Sequence, residues 1–166
     1  VMSLQRYFTH WWQGLRGGKA AFPISVRAAI EREIAAAERQ HQGEICFVVQ
    51  AALGFSAIWR GDSARQHALH TFASLGVWDT EANNGVLVYV LLADRAVEIV
   101  ADRGIARLVP QSEWQSLCEK VHQSFRKRDF EGGAILAVRG VATCLAQHFP
   151  PAGARPNELP NQPILL

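Results

Sequence analysis

Six oxygen-bearing side chains gather around three short apolar runs of this chain: Asp79, Glu81, Asn83 and Asn84 before one, Asp102 after another, and Glu44 at the start of the third. Carboxylates and amides are the ligands of a hard cation such as Ca2+ or Mg2+, which takes oxygen donors. Asp79, Glu81, Asn84 and Asp102 are the candidate metal ligands. An ion held there would act as a Lewis acid and Arg103 or Arg95 would meet an anion, which makes Asp102, Arg103, Asp94 and Arg95 the candidate catalytic residues. The same residues also have a purely structural reading. In it Asn83-Asn84-Gly85 is a turn that positions a strand, Asp94-Arg95 is a hairpin tip, and Asp102 pairs with Arg103 or caps the segment that follows.

Other chemistries find less support. His67 and His70 stand three apart on a helix, but no cysteine or carboxylate at supporting spacing completes a zinc site. Gly14-Leu15-Arg16-Gly17-Gly18 lacks the preceding strand and the Lys-Ser/Thr ending of a phosphate-cradling loop, and no serine elbow is present. Cys46, Cys118 and Cys144 lie in apolar patterns and read as reduced core thiols, which suits a reducing compartment.

The elements that must position these groups follow from periodicity. Leu4, Phe8, Trp11 or Trp12, and Leu15 form one stripe of an N-terminal amphipathic helix, broken by Gly17 and Gly18. Its tryptophans, flanked by Arg6, Arg16 and Lys19, either pack on the domain or lie on an anionic membrane surface. A second helix begins after Pro23 with Ser25 as N-cap and Ile30 and Ile34 inward. Ile45 to Val49 reads as a strand covered on both faces. An irregular stretch from Ala51 to Gly61 leads to a helix capped by Asp62 or Ser63, with Ala68 or Leu69, Phe72 and Leu75 facing in.

Val86 to Leu92 is apolar throughout, a central strand that turns at Asp94-Arg95 into a second strand from Ala96 to Ala101. The connection to Val86 is long enough for a parallel crossover, whereas the turn permits only an antiparallel hairpin, so the sheet is mixed. Glu98 opposes Val97 and Ile99 and needs either solvent at an edge or a partner. Trp114, Leu117, Cys118, Val121 and Phe125 then mark a helix opened by Pro110, and Ile135, Val138 or Leu136, Val141 or Ala142, and Leu145 the inner face of a last one ending near Phe149. Five of the seven prolines lie from Pro150 onward, so the tail is an extended arm or a mobile chain, with Ile164-Leu165-Leu166 apolar enough to dock.

This topology places Asp94-Arg95 near Gln50, at the opposite end of the sheet from Glu44, Asn83, Asn84 and Asp102. The segments divide as residues 1–21, an N-terminal helix; residues 22–149, an α/β domain; and residues 150–166, a proline-rich tail. With 17 Lys+Arg against 15 Asp+Glu the net charge is +2, too little for the basic face of a nucleic-acid binder. The chain has neither a run long enough to cross a bilayer nor a signal peptide, and the expectation is a cytoplasmic protein.

Asn84-Gly85-Val86-Leu87-Val88-Tyr89-Val90, followed by Asp94-Arg95-Ala96-Val97-Glu98-Ile99-Val100-Ala101-Asp102-Arg103-Gly104, resembles the TPM domain family. Gly43-Glu44-Ile45, Leu75-Gly76-Val77-Trp78 and Asp129-Phe130-Glu131-Gly132-Gly133 stand in the same order. The resemblance implies a three-layer α/β/α domain with a mixed central sheet. That family includes members regarded as acid phosphatases and members that bind divalent cations. Two departures matter here. Asn83 stands where the family commonly has aspartate before Asn-Gly, which keeps an oxygen but removes a charge and weakens metal binding unless Glu81 or Asp79 compensates. The glycine-rich exit of the second strand is altered to Ala101-Asp102-Arg103-Gly104. The chain further resembles a cytoplasmic bacterial branch whose members are often encoded near LemA-type membrane proteins, which implies an accessory role with a membrane-associated partner; the alternative implied activity is a metal-assisted phosphatase.

Overall fold

The computed structural model describes residues 8–10, 17–153 and 156–166. Its elements run α1 (Ile24–Ala37), β1 (Glu44–Gln50), α2 (Phe55–Arg60), α3 (Ala64–Ser74), β2 (Gly85–Leu91), β3 (Ala96–Ala101), α4 (Arg103–Ala106), α5 (Gln111–Arg126), α6 (Phe130–His148) and β4 (Ile164–Leu165).

Every residue of β2 and all but the last of β1 are buried, because helices cover both faces of the sheet. Side chains alternate across it. Ile45, Phe47, Val49, Val86, Val88 and Val90 pack under α1, α5 and α6, with Ile30, Val121 and Leu145 among the helix residues that meet them. Cys46, Val48, Leu87, Tyr89 and Leu91 face Ala57, Ile58, Ala64 and Ala68 of α2 and α3. This is the three-layer α/β/α arrangement that the sequence predicts.

Strand order is β3-β2-β1-β4. β1 and β2 run parallel, with Glu44 opposite Gly85, and β2 and β3 form the antiparallel hairpin, with Val86 opposite Ala101. The tail supplies the fourth strand, Ile164 and Leu165 lying parallel to Val48 and Val49. The arm docks by backbone pairing as well as by its apolar side chains.

Several local expectations need correction. Pro23, not Ser25, occupies the N-cap of α1; its fixed φ suits a helix start and it has no N–H to satisfy. Residues 17–21, Gly17 and Gly18 among them, are helical, and a Cβ on Gly18 would meet that of Ala51 at 3.7 Å; the expected N-terminal helix before them lies largely outside the described residues. The stretch after β1 is not irregular throughout, since Gly61 at φ 76 closes α2 in the left-handed conformation that glycine permits. Ser63 and Gln66 form a reciprocal capping box on α3, and Ala68 rather than Leu69 faces the core. Glu98 meets both expectations, lying on the edge strand and pairing with Arg65 at 3.5 Å. Trp11 and Trp12 lie outside the described residues.

Candidate functional site

Two polar regions sit at opposite ends of the central strand. At its N-terminal end, the backbone of Asn83 turns through φ 51, a left-handed conformation that asparagine tolerates better than most residues. Its carbonyl accepts from Gly104 N at 2.9 Å, and its side-chain oxygen accepts from Arg103 Nε at 2.9 Å. Asn84 is fully buried. Its amide nitrogen donates to Gln42 O at 2.9 Å, and its backbone N–H donates to Thr80 Oγ1 at 3.1 Å. Thus Asn83 and Asn84 bind the start of β2 to the exit of β3 and to the loop before β1.

Asp102 caps α4, its Oδ1 accepting from Arg103 N at 2.7 Å. The other oxygen, Oδ2, is buried with no hydrogen-bond partner. Glu44 is also buried, and its Oε2 accepts from the amide of Leu159 in the tail at 3.3 Å. The tail approaches the next loop as well, where Glu158 Oε2 accepts from Glu81 N at 3.0 Å. Asp79 and Glu81 are exposed. The structure therefore brings Asn83, Asn84, Asp102 and Arg103 to one place and keeps the carboxylates of Asp79 and Glu81 on the loop surface. Among the described residues, no three His, Cys, Asp or Glu side chains converge as a metal cluster.

The opposite end is built around the hairpin tip. Leu92 N donates to Gln50 O at 3.0 Å and Ala93 N to Ala51 O at 3.1 Å, which anchors the turn beside the end of β1. Asp94 Oδ1 accepts from Nε2 of buried His10 at 2.8 Å. Arg95 has φ 52, and its carbonyl accepts from His122 Nδ1 at 2.8 Å. Tyr89 hydrogen-bonds Gln50; burial first, and the nearby Asp94 carboxylate second, push its phenol above the usual range.

A cavity of about 620 Å³ runs along β3 and α5, with Arg65, Glu98, Trp114 and Glu119 in its walls. A second, of about 550 Å³, lies beyond the hairpin tip between the end of β2, the turn at residues 17–21 and the α5–α6 junction, and includes Arg126 and Arg128. Arg95 and His122 line both.

Reading the residues alone placed Asp94-Arg95 but missed His10, His122, Arg126 and Arg128 as its company. His10 lies 84 positions from Asp94, and Lys127 and Arg128 read simply as cations at a helix C-terminus. Nothing in the residue type of Arg128 announces its φ of 63.

The layered fold and these strand-end loops define a class of α/β/α domains with a hairpin in a mixed sheet. The TPM domain family matches residues 20–144, and the chain belongs to it. It is similar to the BA42 protein of the psychrophilic bacterium Bizionia argentinensis, known from an NMR structure: 26% identity over 85% of this chain and 92% of that one, TM-score 0.74. The N-terminal domain of a protein from P. gingivalis, also solved by NMR, shares the fold at 18% identity, covering 78% of this chain and 82% of that one, TM-score 0.62. No curated protein matches the chain. Among the described residues, no helix is long and apolar enough to cross a membrane.

Proposed function

We propose that this chain is a TPM-domain binding module that acts in the cytoplasm with a protein partner and has no robust catalysis of its own. One observation carries the reading: the polar residues at the start of β2 are engaged in holding loops together. Asn84 is tied to Gln42, Asn83 to Arg103, and Asp102 Oδ1 to the α4 amide. Arg95, the other candidate for steadying phosphate, belongs to the opposite end of the sheet, beside Gln50. The family resemblance adds a membrane-associated partner of LemA type. Affinity capture with the tagged full chain should recover one specific partner in comparable amount; recovery of nothing above background, with efficient turnover of a phosphate ester, overturns the reading.

The second reading is a divalent-metal-assisted phosphatase, and Asp102 Oδ2 favours it. A buried carboxylate oxygen without a partner is costly, and Ca2+ or Mg2+ is one group that would satisfy it. Asp102 and Asn84 would be its nearest candidate holders, with Asp79 and Glu81 reaching it only by movement of their loop; when bound, the ion would supply Lewis-acid polarisation. Arg103, whose Nε donates to Asn83 Oδ1, would meet the anionic oxygens of the ester. Hydrolysis of para-nitrophenyl phosphate, measured with added Mg2+ or Ca2+, with chelator and with Asp102→Asn, tests it: turnover lost in the last two cases supports this reading, and absent turnover or turnover indifferent to both removes it.

A further inference from the structure

We infer that the groove beyond the hairpin tip, lined by Arg95, His122, Arg126 and Arg128, docks an extended acidic segment of a protein partner. The inference rests on the binding-module reading and names the surface and the partner chemistry. Arg95, Arg126 and Arg128 are exposed, and no ion pair among the described residues engages them. With His122 they come from the hairpin tip, the last turns of α5 and the α5–α6 junction, yet all line one cavity. Among the described residues no carboxylate lines that cavity, and beside the cations it presents Phe125 and Phe130. A helix C-terminus accounts for cations on α5. It does not account for Arg95.

Two of these arginines also hold left-handed backbone, Arg95 at φ 52 and Arg128 at φ 63. Side chains with a Cβ disfavour that conformation, and residues held in it cluster at binding and catalytic sites. The His122 bond to the Arg95 carbonyl, 2.8 Å, fixes the tip against α5.

The shape selects the occupant. Arg95, Arg126 and Arg128 come to this one cavity from separate segments, which suits the spaced carboxylates of a chain better than a compact ion; the neighbouring cavity along β3 carries Asp94, Glu98 and Glu119 and lies outside the docking surface. The helix terminus nearest Arg128 is already occupied, since Asp129 Oδ1 accepts from Gly132 N at 2.9 Å; a phosphate therefore lacks the ring of free amides it commonly uses. Direct strand addition to β3 is opposed as well, because Arg65 Nη1 donates to the Ile99 carbonyl at 2.7 Å on that edge. Carboxylates spaced along an extended segment would meet the separate arginines, and its apolar side chains would cover Phe125 and Phe130.

The test is an amide-shift titration of the full chain with a peptide of about eight residues alternating glutamate and leucine, extended at roughly 3.3 Å per residue so that its carboxylates can reach the separate arginines. Saturable shifts at Arg95, His122 and the 126–128 segment are expected. Arg126→Gln with Arg128→Gln should weaken binding by about tenfold, and a lysine-for-glutamate peptide should not bind. Near-ultraviolet circular dichroism checks the fold of the double variant, and Arg107→Gln, remote from the groove, should leave the affinity unchanged. Equal binding by the double variant, shifts elsewhere, or inorganic phosphate shifting the same amides as strongly as the peptide overturns the proposal. Capture of the same partner by wild type and double variant would remove this groove while leaving the module reading intact; failure of wild type to capture any partner removes that reading instead.

Discussion

His10 and Asp94 meet across 84 positions of sequence, with Nε2 of the histidine donating to Oδ1 at 2.8 Å. The other ring nitrogen, Nδ1, accepts from the amide of Leu53 at 2.9 Å. An amide can only donate, so Nδ1 carries the lone pair and the proton resides on Nε2. One neutral, buried imidazole thereby ties the hairpin tip to the loop after β1.

Removing it should be expensive. His10→Ala takes the ring from a buried amide and one hydrogen bond from the Asp94 carboxylate, and we expect a loss of about 3 kcal/mol of stability, one neutral and one charge-assisted hydrogen bond together. Urea unfolding at pH 7 measures it; a loss below about 1 kcal/mol would mean that water replaces the ring freely.

Close approach fixes Gly85. A Cβ there would lie 2.0 Å from the Val77 carbonyl, which is backbone and cannot rotate away, whereas a Cβ at Gly54 meets nothing within 4 Å. Gly85→Ala should cost at least about 3 kcal/mol or prevent folding, and Gly54→Ala should change stability by less than about 0.5 kcal/mol. Thermal denaturation of the two variants side by side checks the contrast.

Glu33 and Arg139 form a two-pronged pair between α1 and α6, at 2.7 and 3.1 Å. The hydrogen bond from Arg139 holds the Glu33 carboxyl below its ordinary value of 4.5. A carboxyl depressed in the folded state binds its proton more weakly there than in the unfolded chain, so its contribution is present above 4.5 and fades as pH falls through the folded-state value. Arg139→Gln should therefore lower stability slightly at neutral pH, where the pair is intact, and the two curves should converge as pH falls through the folded-state value, the whole effect being small because exposed pairs contribute little. A parallel acid limb in wild type and variant would contradict this.

The thiols should be inert. Burial pushes Cys46 up to about 12 and Cys118 up to about 11, and only the thiolate is an effective nucleophile. Iodoacetamide at pH 8 should leave Cys46 unmodified in the native protein and alkylate it in urea, as read by mass spectrometry. Rapid native labelling would place that strand nearer solvent than the fold has it.

How much of this was legible in the sequence depends on whether the signal was local. The unbroken apolar run at β2 announced a strand buried on both faces, and the short turn at Asp94 required the hairpin. The docking of Ile164 could be anticipated from its apolarity, but its pairing with Val48 required the third dimension. At the candidate site, the gathering of Asn83, Asn84, Asp102 and Arg103 followed from sheet topology alone. The cap role of Asp102 was one of two readings, and residue type cannot choose between a cap and a ligand. The outward placement of Asp79 and Glu81 was hidden, because a loop's path depends on contacts such as Glu158 with the Glu81 amide. The cationic groove was least legible: its members come from segments separated by some thirty positions, and the left-handed backbone of Arg95 and Arg128 runs against their residue type.

The central claim is that this TPM domain works by binding a protein. The most direct measurement is isothermal titration of the purified full chain with the purified partner recovered by affinity capture. We predict saturable binding at one-to-one stoichiometry that weakens as salt is raised, as an arginine-lined surface requires. An absence of measurable heat and of complex formation at low salt would contradict it.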